Sequence, residues 1–128
     1  MTKPLALIFY ENLLTGNQLL NRLSDLDYRT LAVSDLGKLP AQAAAETPIV
    51  LIVELGALAE RVCGIIRSLR AAPATEHIPI IAYVQPKGRK EDAKLTEQAQ
   101  TAGAKLVVGE ALVLPHLAQL LDQALRLD

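Results

Sequence analysis

Five short runs of aliphatic and β-branched residues, each followed by a longer stretch with helical spacing, limit what this chain can fold into. The runs are Leu5–Tyr10, Arg29–Val33, Ile49–Val53, Ile78–Val84 and Lys105–Val108. All have strand length. Three are apolar almost throughout, as strands covered on both faces must be. Between them, Leu19, Leu20, Leu23 and Leu26 share one side of a helix. Val62, Ile65, Ile66 and Leu69 form a second such stripe, and Leu117, Leu120, Leu121 and Ala124 a third. The Ala-rich stretches Gly37–Ala45 and Arg89–Ala102 also read as helices. Gly103 is the expected stop of the second, and Pro115 the expected first residue of the last helix.

Short parallel strands joined by helices give an α/β architecture: a five-stranded parallel sheet in a (βα)5 three-layer sandwich of the flavodoxin-like type. The pattern runs through residues 1–128 without a linker or repeat, so a single domain is expected. Ligands in such folds bind at the carboxyl ends of the strands, where strand order reverses. The residues to inspect are therefore Tyr10–Asn12, Glu54–Gly56, Val84–Pro86, Gly109 and Glu110.

Composition removes several function classes. Three Tyr, one Phe and no Trp leave few platforms for stacking on bases. Lys and Arg number 13 against 14 Asp and Glu, which creates neither a DNA-binding field nor a polybasic membrane anchor. No nucleic-acid or membrane partner is expected. The apolar stretch ending at Phe9 is too short to span a bilayer, and no small-residue cleavage site follows it. With one cysteine, Cys63, no disulfide forms within the chain, in keeping with a reducing cytoplasm. Cys63 reads as a small hydrophobe on a helix face. His77 and His116 have no second ligand at fixed spacing, so neither a metal nor a cofactor is expected. No Ser/His/Asp set and no phosphate-binding glycine loop is present, and no enzymatic activity is expected.

Pro48-Ile-Val-Leu-Ile-Val-Glu54 and Pro79-Ile-Ile-Ala-Tyr-Val84, followed by Gly103-Ala104 before the last run, resemble the third, fourth and fifth strand entries of response-regulator receiver domains. The resemblance covers essentially the whole chain. It implies bacterial two-component-type signalling, but the positions that carry the family's chemistry are altered. The phosphoacceptor position holds Glu54. The metal-binding acidic pair falls on Tyr10 and Glu11, or on Glu11 and Asn12 after a slip of one residue. The switch hydroxyl position holds Val84, the aromatic position Val107, and the lysine position Gly109 or Glu110.

Aspartyl phosphate formation needs a carboxylate placed for in-line attack and a divalent ion held by several carboxylates. Glu54 reaches one methylene further than Asp, and a misplacement of about an ångström costs roughly a hundredfold in rate. Val84 has no hydrogen to donate. The resemblance thus implies a non-phosphorylatable pseudo-receiver that works by protein–protein contact or as a homodimer. With neither lysine nor threonine to read its charge, Glu54 is expected as a solvated carboxylate at a strand end. Glu11 likewise reads as an acid at the sheet's open edge.

The polar run Lys87-Gly-Arg-Lys90 reads as solvated. The run Ala111-Leu-Val-Leu-Pro115 is expected as a loop that either exposes an apolar contact patch or folds down over the sheet edge. Arg89, Leu112, Val113, Leu114 and Leu117 are the interface candidates. The rival reading is a small-ligand-binding or enzymatic flavodoxin-like domain, with its site over Glu11, Glu54 and Gln85. Against it, the loop after the first strand supplies only Thr15 and Gly16 toward a phosphate cradle.

Overall fold

The computed structural model describes residues 3–126. The apolar runs become β1 (Leu5–Phe9), β2 (Arg29–Val33), β3 (Val50–Leu55), β4 (Ile80–Val84) and β5 (Leu106–Gly109). The helices are α1 (Leu13–Asp25), α2 (Leu39–Glu46), α3 (Ala59–Ala71), α4 (Arg89–Ala102), α5 (Glu110–Val113) and α6 (Leu117–Ala124). All four strand pairings are parallel, in the order β2-β1-β3-β4-β5. This is the expected five-stranded parallel α/β sandwich.

Every residue of the three central strands is buried. Side chains alternate across the sheet. Leu7, Phe9, Leu51, Val53, Leu55, Ile80 and Ala82 face a core completed by α2, α3 and α4. Ala6, Ile8, Val50, Ile52, Ile81 and Tyr83 face a second core completed by α1, α5 and α6. Each fully buried Leu, Ile or Val contributes about 1.5–3 kcal/mol, so the two aliphatic cores fix the register of the strands between them. The stripes on α1, α3 and α6 face inward as their spacing predicts, with Leu20, Leu26 and Ile65 at the margins. Cys63 is buried in the first core. Among the described residues no helix is long and apolar enough to cross a membrane.

Three local readings need correction. β3 runs to Leu55, so Glu54 lies inside the ladder, opposite Tyr83, and not beyond its end. Gly37–Ala45 opens with a 3₁₀ turn at Leu36–Lys38, in which the Asp35 carboxylate accepts the Gly37 N–H at 3.0 Å, and α2 begins only at Leu39. Pro115 does not open the last helix. The chain after β5 winds at once into α5, and Pro115, lacking an N–H to donate, breaks that helix; α6 restarts at Leu117.

Gly103 ends α4 at φ 125°, a conformation that side chains disfavour. A Cβ there would lie 2.5 Å from Cγ of Arg70. Gly103→Ala should therefore lose about 1–3 kcal/mol of stability, read as a lower urea midpoint with unchanged slope.

Candidate functional site

Strand order reverses between β1 and β3, because α1 packs on one face of the sheet and α3 on the other. The loops leaving these two strands therefore diverge and open a crevice. The structure brings Glu11, Asn12, Glu54, Tyr83 and Gln85 together there.

Glu54 is 0% exposed. The expectation of a solvated carboxylate is overturned. Its Oε1 accepts the backbone N–H of Glu11 at 3.0 Å, the N–H of Asn12 at 3.1 Å and the Tyr83 hydroxyl at 3.0 Å. Its Oε2 accepts the Gln85 side-chain amide. Burying a carboxylate is tolerated only when its oxygens are met in this way. The extra methylene of Glu relative to Asp carries the oxygens from β3 across to the first amides of the β1–α1 loop.

Glu11 returns the contact. Its Oε1 accepts the N–H of Ala57 at 3.1 Å and its Oε2 that of Leu58 at 3.2 Å. These amides lead into α3, whose cap residue Leu58 offers no side-chain oxygen. Each carboxylate thus sits at the start of the other strand's helix, where the helix dipole favours negative charge. Asn12 completes the arrangement by capping α1, its side chain accepting the Leu14 N–H at 3.0 Å. Gly56 leaves room here: a Cβ would meet Glu11 Oε2 at 2.9 Å and the Gln85 amide at 3.1 Å, so a larger residue would shift those two side chains. The Tyr10 ring lies over Gly16 of α1, outside this network.

Tyr83 was missed by sequence reasoning. It is fully buried, and burial, followed by the charge of Glu54, drives its hydroxyl far above the ordinary tyrosine value. It therefore stays protonated and donates its hydrogen to Glu54. A lone phenol in an otherwise aliphatic strand was the available signal, since a buried hydroxyl needs a partner.

Other predicted positions are not part of this cluster. Val84 faces the α3–α4 side of the sheet, opposite to the face on which Glu54 points. Val84, Val107 and Glu110 line a separate cavity of about 260 Å³. The run Lys87–Lys90 is exposed as expected, and within it the Lys87 ammonium donates to Gly56 O at 3.2 Å and its backbone N–H to Asp92 at 3.0 Å. Val113 and Leu117 are fully buried and cannot be contact residues, because α5 winds the expected loop inward onto the second core. Leu114 packs against the same core, which leaves Leu112, 51% exposed, and Arg89 on the surface.

A divalent ion does not fit this site. The oxygens of Glu54 and Glu11 are committed to donors of the chain itself, and among the described residues no group of three His, Cys, Asp or Glu is placed to hold an ion. The arrangement serves to fix two loops relative to each other.

Glu110 departs from this pattern of satisfied carboxylates. Its Oε2 is buried without a partner among the described residues. Burial, then the charge of Glu54, raises its carboxyl above the ordinary value. The folded chain holds that proton more tightly than the unfolded chain. Stability from this group is therefore present at acid pH and lost as pH rises through the raised value. Glu110→Gln should melt about 1–3 °C above the parent at neutral pH, a small gain because solvent screens the group. The difference should vanish below about pH 4, where both side chains are neutral. Thermal melts at the two pH values check this.

No family model and no curated protein matches the sequence. Solved structures do match in shape. A putative response regulator from Chloroflexus aurantiacus superposes with TM-score 0.81 at 15% identity, covering 97% of this chain and 98% of that one. The receiver domain of a sensor histidine kinase from Pseudomonas aeruginosa, which carries magnesium in its active-site cleft, gives 0.80 at 18% identity, with 97% and 98% covered. The receiver domain of a modulated diguanylate cyclase from Desulfovibrio desulfuricans gives 0.74 at 19% identity, with 97% and 94% covered. Strand order, helix placement and these superpositions agree: the chain has the fold of the response-regulator receiver domains.

Proposed function

We propose that this chain is a non-phosphorylatable receiver-type domain of a bacterial two-component-type signalling system, cytoplasmic and not an enzyme, that acts through protein–protein contact. The observation that carries the proposal is the occupancy of Glu54. Phosphoryl transfer needs a carboxylate oxygen free for in-line attack, a cation on the phosphoryl oxygens, and a hydroxyl and an ammonium to hold the product. Here Oε1 of Glu54 already accepts three hydrogen bonds. Val84 points to the other face of the sheet. Glu110 brings a negative group where the family's lysine would bring a positive one.

With the crevice closed by its own side chains, the outer surface is left to do the work. Leu13 and Leu14, each 69% exposed, open α1 beside the crevice, and Leu112 lies on α5. Exposed leucines of this kind are suited to contact with a partner protein. Leu112 and Arg89 are the surviving interface candidates.

Acetyl phosphate or beryllofluoride with magnesium should leave the amide spectrum and oligomeric state unchanged. Shifts centred on Glu11, Asn12 and Ala57 would contradict the proposal. A partner captured from the native host should be lost with Leu112→Glu. Retention by that variant would remove α5 from the contact surface.

A further inference from the structure

At the opposite end of the sheet from Glu54, the segments entering β3, β4 and β5 surround an open cleft of about 880 Å³. Its apolar wall includes Ile49, 42% exposed, with Pro79 and Leu125. Among the described residues of its polar lining, Arg70, Lys105 and Arg126 are joined by a single acid, Glu76. The chain as a whole is slightly acidic, so this concentration of cations is local.

Among the described residues, two of these cations lack a carboxylate partner. Arg70 is half-buried at the end of α3. Its Nε donates to Gly103 O at 2.9 Å, and one terminal nitrogen donates to the carbonyls of Glu76 and Ile78 at 2.7 Å each. Lys105 donates to the carbonyls of Ala124 and Arg126 at 2.8 and 2.7 Å. Neither forms an ion pair among the described residues, whereas Arg126 is paired with Asp122 at 3.3 Å. Carbonyl dipoles orient these groups but do not neutralise them. Burial lowers the Arg70 pKa from its ordinary value, the sign of a desolvated cation without a counter-charge. The second terminal nitrogen of Arg70 and one N–H of Lys105 remain as donors.

We infer that this cleft binds a small organic anion with an apolar body, of the class of a medium-chain carboxylate. The carboxylate supplies the charge missing opposite Arg70 and Lys105, and the apolar body covers Ile49, Pro79 and Leu125. The volume lies in the range of small-molecule sites. The site is independent of the crevice at Glu54.

Octanoate is the probe, with octylamine and octanol as controls of matched length. Titration followed by amide NMR should give saturable shifts at Ile49, His77, Gly103 and Lys105 with octanoate, and none with octylamine. Ile49→Glu changes an exposed side chain just outside β3 and leaves the fold intact. It should weaken binding at least about tenfold by setting a negative charge against the anion. Lys105→Met should weaken it by a similar factor. Absence of shifts, shifts centred elsewhere, equal binding of octylamine, or full binding by Ile49→Glu would each overturn the assignment.

Discussion

Across the crevice between β1 and β3, each side lends a carboxylate to the amides of the other. Glu54 on β3 holds the amides that enter α1, and Glu11 after β1 holds the amides that enter α3. Hydrogen bonds to a charged acceptor are worth about 1.5–3 kcal/mol each, while burying a carboxylate costs several kcal/mol. The two terms largely offset. What remains is specificity: only one arrangement of the loops satisfies both acids, and the buried Tyr83 hydroxyl and the Gln85 amide are fitted to it. The rest of the carboxyl edge follows, from the glycine at position 56 that leaves room for Glu11 and Gln85 to the unsatisfied position of Glu110 beside an acid already in use.

This exchange also separates the fold from the chemistry that its topology usually hosts. Strand order places a crevice where doubly wound sheets bind ligands, but here the chain's own side chains fill it. The signalling reading rests on that occupation. A domain with this edge presents an essentially fixed crevice, and on the proposed reading its outer helices carry recognition. The cleft at the opposite edge, by contrast, keeps cations that nothing in the described chain neutralises.

The fold was legible because it is written in two periods, alternation in the strands and near-fourfold recurrence in the helices. Arg89–Ala102 was read to the residue, since Gly88 and Gly103 punctuate it. Pro115 was misplaced because a proline signals a helix start and a helix break equally well. The site was only half legible. The positions of Glu11, Asn12, Glu54 and Gln85 followed from the ends of the apolar runs. The burial of Glu54 did not, because it depends on donors more than forty residues away in the chain. Tyr83 required the register of β3 on β4. Val113 was an interface candidate because an apolar run does not reveal which side faces the sheet until α5 forms, and Leu117 was one although its helical spacing already placed it on an inward stripe.

Amide hydrogen exchange in the intact protein, read by NMR at Glu11, Asn12, Ala57 and Leu58, tests the carboxylate exchange most directly. Ala57 is exposed and all four amides lie outside regular structure, so without the two acids they would exchange as loop amides do. Protection at all four approaching that of the β3 amides is the predicted result. Exchange at the rate of the exposed Gly88 amide would show that the loops are not held by Glu54 and Glu11, and would contradict the account.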